Sequence, residues 1–454
     1  MTILWAKHVL TANGWQENVR ITIGDDGLIS GISSGAKPCG AQFGILLPAP
    51  ANTHSHAFQR AMAGMTESRG KDPKDSFWTW REVMYRFVDH LNPDDIEAIA
   101  AFLYMEMLEA GFSAACEFHY LHHGIGGQHY DNVAETAHRI AAAADQTGIG
   151  LTLLPVLYSQ GGCDGRALLG GQLRFGNDQD AFAELFAESR SGLKHLPSDC
   201  KLGVAAHSLR AVTPEQLSFA AALAPDAPMH IHIAEQDAEI TEVRAYHGQR
   251  PVEYLLDNHN VNARWCLVHA TQLTGDETST LAGSGACVSL CPITESSLGD
   301  GIFNARDYLG AGGVFSIGSD SNVRISLAEE LRTLEYSQRL KHRERAVLAT
   351  PEKSCGHVLL TGAAKGGAQA CGRDSGEIAI GKLADILALD RDAPDLIGKR
   401  GDMLFDSFIF SGSSDMVTDV WSAGRHMVRG GAHIKRDAIT KNYKKTIQSL
   451  QQRL

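Results

Sequence analysis

The sequence predicts an α/β protein, a (β/α)8 TIM-type barrel with a small β-sandwich domain built from both chain ends. Three observations predict it. First, eight short apolar runs recur through the middle of the chain, namely 46–50, 114–120, 151–158, 202–208, 229–235, 265–271, 286–292 and 313–320. Each is β-branched or aliphatic and bounded by Gly, Pro or polar residues, as strands buried on both faces of a parallel sheet are. Second, helical patterns lie between most of them: Pro93–Ala110 with Asn92 placed to cap it, Asn132–Thr147, Pro214–Leu223 and Val252–Asn258. Seven steps from His56 to Asp320 give about 38 residues each, enough for the roughly 30 a βα unit needs. Third, Leu10–Gly31 and Glu377–His433 alternate apolar and polar residues between turn signals, which reads as short antiparallel strands. The expected division is 1–47 plus 376–436 for the sandwich, 48–375 for the barrel, and 437–454 for a surface helix.

Composition narrows the function. The chain has 454 residues, 44% hydrophobic and 21% charged, which is globular usage. A net charge of −12 argues against nucleic acid, whose phosphates need a basic face, but not against a small anion, which feels only local charge. No apolar run is long enough to span a bilayer, and no secretory signal precedes Trp15. Nine scattered cysteines fit reduced thiols and a cytoplasmic location, and Cys287 with Cys291 lacks the second pair a zinc knuckle needs.

The chemistry-bearing residues sit at expected strand ends, where barrel sites are built. His54 and His56 follow the first run, and residues at i and i+2 on a strand face the same way. The fifth run ends in His230, His232 and Glu235, the sixth in His269, and the eighth in Ser319-Asp320. His54, His56, His232 and Asp320 form a donor set suited to one divalent cation, Zn²⁺ or Fe²⁺. His232 is preferred over His230, which lies one inward layer deeper and reads as a core histidine. Glu235 is placed to carry a proton from an attacking water to a leaving nitrogen. His269 would polarise or donate to the group attacked, and Asp320 would also accept a hydrogen bond from the water.

Together these residues resemble the amidohydrolase superfamily, in its mononuclear deaminase branch. The flanks, Ile380 to Leu387 and Val420 to Arg425, are similar to its C-terminal strands. Binuclear members use a lysine at the end of the fourth strand; here that strand ends Ala205-Ala206-His207-Ser208, with Lys201 at its beginning, so one cation is expected. The segments Pro48–Gly64, Phe77–Glu82, Glu117–His122 and His207–Arg210 are similar to the N-formimidoyl-L-glutamate deiminases of histidine degradation. That resemblance implies hydrolysis of a formimidoyl group to formyl with release of ammonia. It implies Gln59, Tyr120, His207 and Arg210 as substrate contacts, with Arg81 in a long loop as a further cation, and a homodimer as assembly. Guanidinium forks suit a substrate with two carboxylates.

Three rivals are weighed. A deaminase of a nucleobase or other aminated heterocycle would use the same centre, but a flat ring wants stacking where a dianion wants arginine. A non-catalytic metal-binding relative would be free to lose Glu235 or His269, and both are present. Gly31-Ile32-Ser33-Ser34-Gly35 fits the serine-hydrolase elbow in pattern only, because Lys37-Pro38 opposes the helix that must follow. The histidines His119, His122 and His123 lack the partners a second metal needs.

Overall fold

A computed structural model describes residues 1–68 and 77–454. Eight parallel strands form the barrel: Ala51–Ser55, Ala114–His119, Gly150–Leu157, Val204–Ala206 (preceded by the short Lys201–Leu202), Met229–Ile233, Trp265–His269, Cys287–Leu290 and Val314–Ile317. Each pairs with the next in sequence, and the last returns to the first through Ile317 opposite Asn52, so the sheet closes. Closure bears out the expected (β/α)8 architecture and places all eight carboxyl ends around one mouth.

The helices start where capping chemistry says they should. Asn92 Oδ1 accepts the Asp95 N–H at 3.0 Å while Asp95 accepts the Asn92 N–H, opening helix Pro93–Glu109. Thr213 does the same with Gln216 ahead of Pro214–Leu223.

One barrel strand departs from its expected place. The run 46–50 ends a strand of the other sheet, Ala41–Pro48, which pairs with Thr2–Thr11 and Ile386–Leu389. The first barrel strand is Ala51–Ser55, wholly buried yet polar, so no apolar pattern announces it. Its polarity is satisfied inside the barrel, where Thr53 Oγ1 lies 2.7 Å from Ser289 Oγ and 2.8 Å from Ser316 Oγ.

Both chain ends build the second sheet. Its eight strands run in the order Ala432–His433, Arg425–Arg429, Val417–Ser422, Ile386–Leu389, Ala41–Pro48, Thr2–Thr11, Gly14–Ile23 and Ile29–Ser33. The strands expected as a sandwich thus share one hydrogen-bonded order, around a core that includes Leu4, Val19, Ile21, Ile386 and Trp421. The Gly31–Gly35 pattern falls on its edge strand and leads into no helix.

One segment of the C-terminal flank is helical where strands are expected. Within 377–433, Asp402–Phe410 is a helix, because Leu404, Phe405, Phe408 and Ile409 recur at helical spacing and are buried. The expected surface helix at the C-terminus, Arg436–Gln451, is seated on Pro93–Glu109. The Tyr443 ring stacks on Phe102 at 3.9 Å, and Arg453 holds Asp95 at 2.9 Å.

A buried ion cluster ties the barrel to the second sheet. Arg373, fully buried, meets Asp199 at 2.9 Å and Asp385 at 3.1 Å, and Arg425 also reaches Asp199 at 2.6 Å. All nine cysteines are free. Among the described residues no helix is long and apolar enough to cross a membrane.

Candidate active site

The ends of the first and eighth strands are stitched together first. Gly318 lets them approach, since a Cβ there would lie 2.7 Å from the His54 Cβ and 2.9 Å from its backbone N and O. The Ser319 and Asp320 N–H groups then donate to the His54 carbonyl at 3.0 and 2.9 Å, and the His56 N–H donates to the Asp320 carbonyl at 3.1 Å. Asp320 takes a left-handed backbone at φ 46°, as do His269 at 69° and Ala234 at 52°. Non-glycine residues adopt that region at a cost, and such strain clusters at functional sites.

This framework brings His54, His56, His232 and Asp320 together, with one donor atom from each within 4.8 Å of the others and all four residues buried. Asp320 Oδ1 lies 3.3 Å from Nε2 of both His54 and His56. The Nε2 atoms of His54 and His232 stand 2.9 Å apart. His56 Nδ1 donates to the Phe118 carbonyl at 3.0 Å and His232 Nδ1 to the His207 carbonyl at 3.1 Å, so each turns its Nε2 lone pair inward. His54 Nδ1 is buried with no hydrogen-bond partner. Burial holds the His54 imidazole down at about 3, and His232 well below the usual range. Asp320 stays well below the carboxylate range; burial opposes this, but the close approach of the His54 and His56 rings outweighs it. Three imidazole nitrogens and one carboxylate converging within 4.8 Å of one another fit a divalent cation of the zinc or iron type. His230 is elsewhere, with Nε2 donating to the Ala370 carbonyl at 2.8 Å deeper in the barrel.

A cavity opens above this cluster and is lined by every other residue expected in the site: Gln59, Arg81, Tyr120, His207, Arg210, Glu235 and His269. Burial raises the Glu235 carboxyl, reinforced by Asp320 and Glu239 and moderated by His269 and Arg210. Burial opposes a charge on His269, yet Glu235, Glu295 and Asp320 together push it up to about 10. The pocket therefore sets a carboxyl raised above its usual range beside an imidazole raised by the surrounding carboxylates. Gln59 Nε2 donates to the Tyr120 hydroxyl at 2.9 Å, leaving Gln59 Oε1 buried without a partner.

Several contributors escaped the sequence reading. Tyr158 follows the third strand, and its hydroxyl accepts from Arg81 at 3.2 Å and Gln172 at 3.0 Å. Its place just past a strand end, the kind of position that singled out Glu235 and Asp320, is the signal that would have found it. Tyr85, Trp80 and Phe175 complete an aromatic wall, with the Arg81 guanidinium over the Tyr85 ring at 5.1 Å. Glu295, from helix Pro292–Leu298, meets His269 Nδ1 at 3.3 Å; nothing local in the sequence links those two positions. The run His119, His122 and His123 is accounted for by Thr136, the Val156 carbonyl and the Gly176 carbonyl, at 3.0, 3.0 and 2.9 Å.

Comparison with known proteins agrees with this geometry. The amidohydrolase family matches residues 45–427, and the family described as "Formimidoylglutamate deiminase HutF, N-terminal domain" matches residues 1–42. The chain belongs to the amidohydrolase family. This amidohydrolase is 48% identical over 437 residues to the formimidoylglutamate deiminase of Pseudomonas aeruginosa, covering 95% of this chain and 96% of that one. It is 27% identical to a 5-methylthioadenosine/S-adenosylhomocysteine deaminase of Natronomonas pharaonis, covering 89% and 84%. Among solved structures, an amidohydrolase from Brucella melitensis superposes with a TM-score of 0.95 at 48% identity, covering 99% of this chain and 100% of that one.

Proposed function

We propose that this amidohydrolase is an N-formimidoyl-L-glutamate deiminase, converting that substrate and water to N-formyl-L-glutamate and ammonia in histidine degradation. The observation that carries it is the pairing of two guanidinium groups, Arg81 and Arg210, in the cavity that holds Glu235 and His269. A linear dianion with an amidine at one end needs both features. The aromatic wall would also suit a ring, but the Tyr120 and Tyr158 hydroxyls are engaged by Gln59, Arg81 and Gln172. They orient polar groups. The 48% identical relative carries the deiminase name, and the N-terminal match points to the same family.

In this reading His54, His56, His232 and Asp320 hold one zinc- or iron-type cation. That cation supplies Lewis-acid activation of water. Arg210 and Arg81 fork onto the substrate carboxylates, while Gln59, Tyr120 and His207 border the chain between them and the reacting end. Asp320 accepts a hydrogen bond from the attacking water and orients its lone pair toward the formimidoyl carbon. Glu235 takes one proton of the water and delivers it to the amino nitrogen of the formamidinium. As the C–N bond breaks and ammonia departs, the hydroxyl proton passes to Asp320 and the C=O bond forms. His269, cationic, steadies the negative charge that develops as the carbon becomes tetrahedral. The free thiols suit a cytoplasmic setting.

The test is ammonia release from N-formimidoyl-L-glutamate, set against cytosine, guanine and adenosine, alongside metal analysis. Turnover confined to the formimidoyl substrate supports the reading. Preference for any of the heterocycles sinks it.

A further inference from the structure

The turn that carries Glu235 into the cavity is held from outside itself. Strand Met229–Ile233 ends and helix Asp237–His247 begins within four residues, and Ala234 between them is left-handed at φ 52°. A non-glycine residue does not stay there on its own account. The Ala234 N–H donates to Glu239 Oε1 at 3.1 Å, and the Glu235 N–H donates to Glu239 Oε2 at 3.1 Å. The Ala234 carbonyl is taken in turn by the Gln272 N–H at 2.8 Å.

Glu239 lies in the first turn of its helix and is 1% exposed. A capping carboxylate ordinarily accepts from N–H groups inside or at the start of its own helix. This one reaches back past the helix start and grips two successive N–H groups of the connection. Both of its oxygens are occupied by backbone donors. Burial opposes the charge on the Arg210 guanidinium, and the Glu239 carboxylate favours it, followed by Glu235.

We propose that Glu239 is a positioning residue for the deiminase reaction: its carboxylate clamps the Ala234–Glu235 turn and so sets where the Glu235 carboxylate stands. The inference rests on the role given above to Glu235. It explains why a helix would bury an acid that does not line the cavity.

Glu239→Gln tests it, because the isosteric amide keeps one acceptor but presents a donor to the second N–H. Two readouts are taken on the metal-loaded full chain. In amide hydrogen exchange, the peptide containing Ala234 and Glu235 exchanges at least about tenfold faster than in the wild type, while the later turns of helix Asp237–His247 do not change. In steady-state ammonia release, kcat falls by about 10- to 100-fold with KM altered less than about threefold. The double variant Glu235→Gln/Glu239→Gln is then no slower than Glu235→Gln alone, as for a residue that acts through another. Glu239→Asp, which keeps the charge, recovers part of the loss and replaces Glu239→Gln should that protein fail to fold.

Unchanged exchange at Ala234–Glu235, or losses that multiply in the double variant, overturns the proposal. Absence of ammonia release from the wild type would instead overturn the deiminase reading, and the exchange experiment judges the clamp in either case.

Discussion

His269 is held between two carboxylates: its Nδ1 stands 3.3 Å from Glu295 Oε1 and its Nε2 stands 3.8 Å from Asp320 Oδ2. Glu295 is itself fixed, because the same Oε1 accepts the Cys291 N–H at 2.9 Å. The ring is therefore oriented from behind and presents its second nitrogen toward Asp320. Removing such an outer partner commonly costs 10- to 100-fold in activity or metal affinity. Glu295→Ala should lower kcat by about tenfold or more while metal content, read by elemental analysis, stays at the wild-type level.

Glu235→Gln should bind the cation normally and lose turnover by about two to four orders of magnitude, the range of a lost general acid–base. Ammonia release and metal analysis on the same preparation check it. Near-wild-type rates would remove Glu235 from the proton-carrying role.

Arg210→Ala and Arg81→Ala act on binding. A guanidinium gripping a remote carboxylate contributes equally to ground and transition states, so KM should rise by roughly 10- to 100-fold with kcat changed far less. Steady-state kinetics separates the two parameters. A loss confined to kcat would place these arginines at the reacting end.

Removing the cation should both abolish activity and lower the melting temperature. Donors that crowd within 4.8 Å of one another are then left facing across a buried gap. A ligand bound at about a hundred times its Kd stabilises a fold by about 2.7 kcal/mol. Chelation followed by differential scanning should show the drop, and zinc or ferrous iron should restore it.

The Arg373 cluster governs acid stability rather than chemistry. Burial would raise the Asp199 carboxyl, but Arg425 and Arg373 outweigh it and hold it below its ordinary value of 3.8. A folded-state value below the unfolded one stabilises the fold above the unfolded value and is lost as pH falls through the folded one. Melting temperatures should therefore drop below about pH 4, and Asp199→Asn should flatten that slope while lowering stability at neutral pH. Arg373→Met leaves two buried carboxylates without it and should cost about 3–5 kcal/mol by chemical denaturation.

What could be read directly from the sequence was whatever has a local physical signature. Alternating apolar runs and helical patterns announce a barrel, because each strand and helix must bury a face at its own period. The Asn92 cap marks a helix start within a few residues. A histidine pair two apart on a strand, and single residues just past strand ends, stand out once the barrel is assumed, since that fold sends all such positions to one mouth.

The tertiary structure alone decided contacts between residues that no local pattern relates. The first barrel strand hid because its polar side chains are satisfied by Ser289 and Ser316 from other strands. Arg81 and Tyr158, 77 positions apart, meet at 3.2 Å only because helix Phe77–Val88, where a loop is expected, packs beside the third strand's end. Glu239 and Glu295 are ordinary helix carboxylates in the sequence and become a clamp and an orienting partner only when their helices dock. Periodicity reports which face a residue takes; it carries no information on what stands across from that face, and chemistry at this centre depends on both.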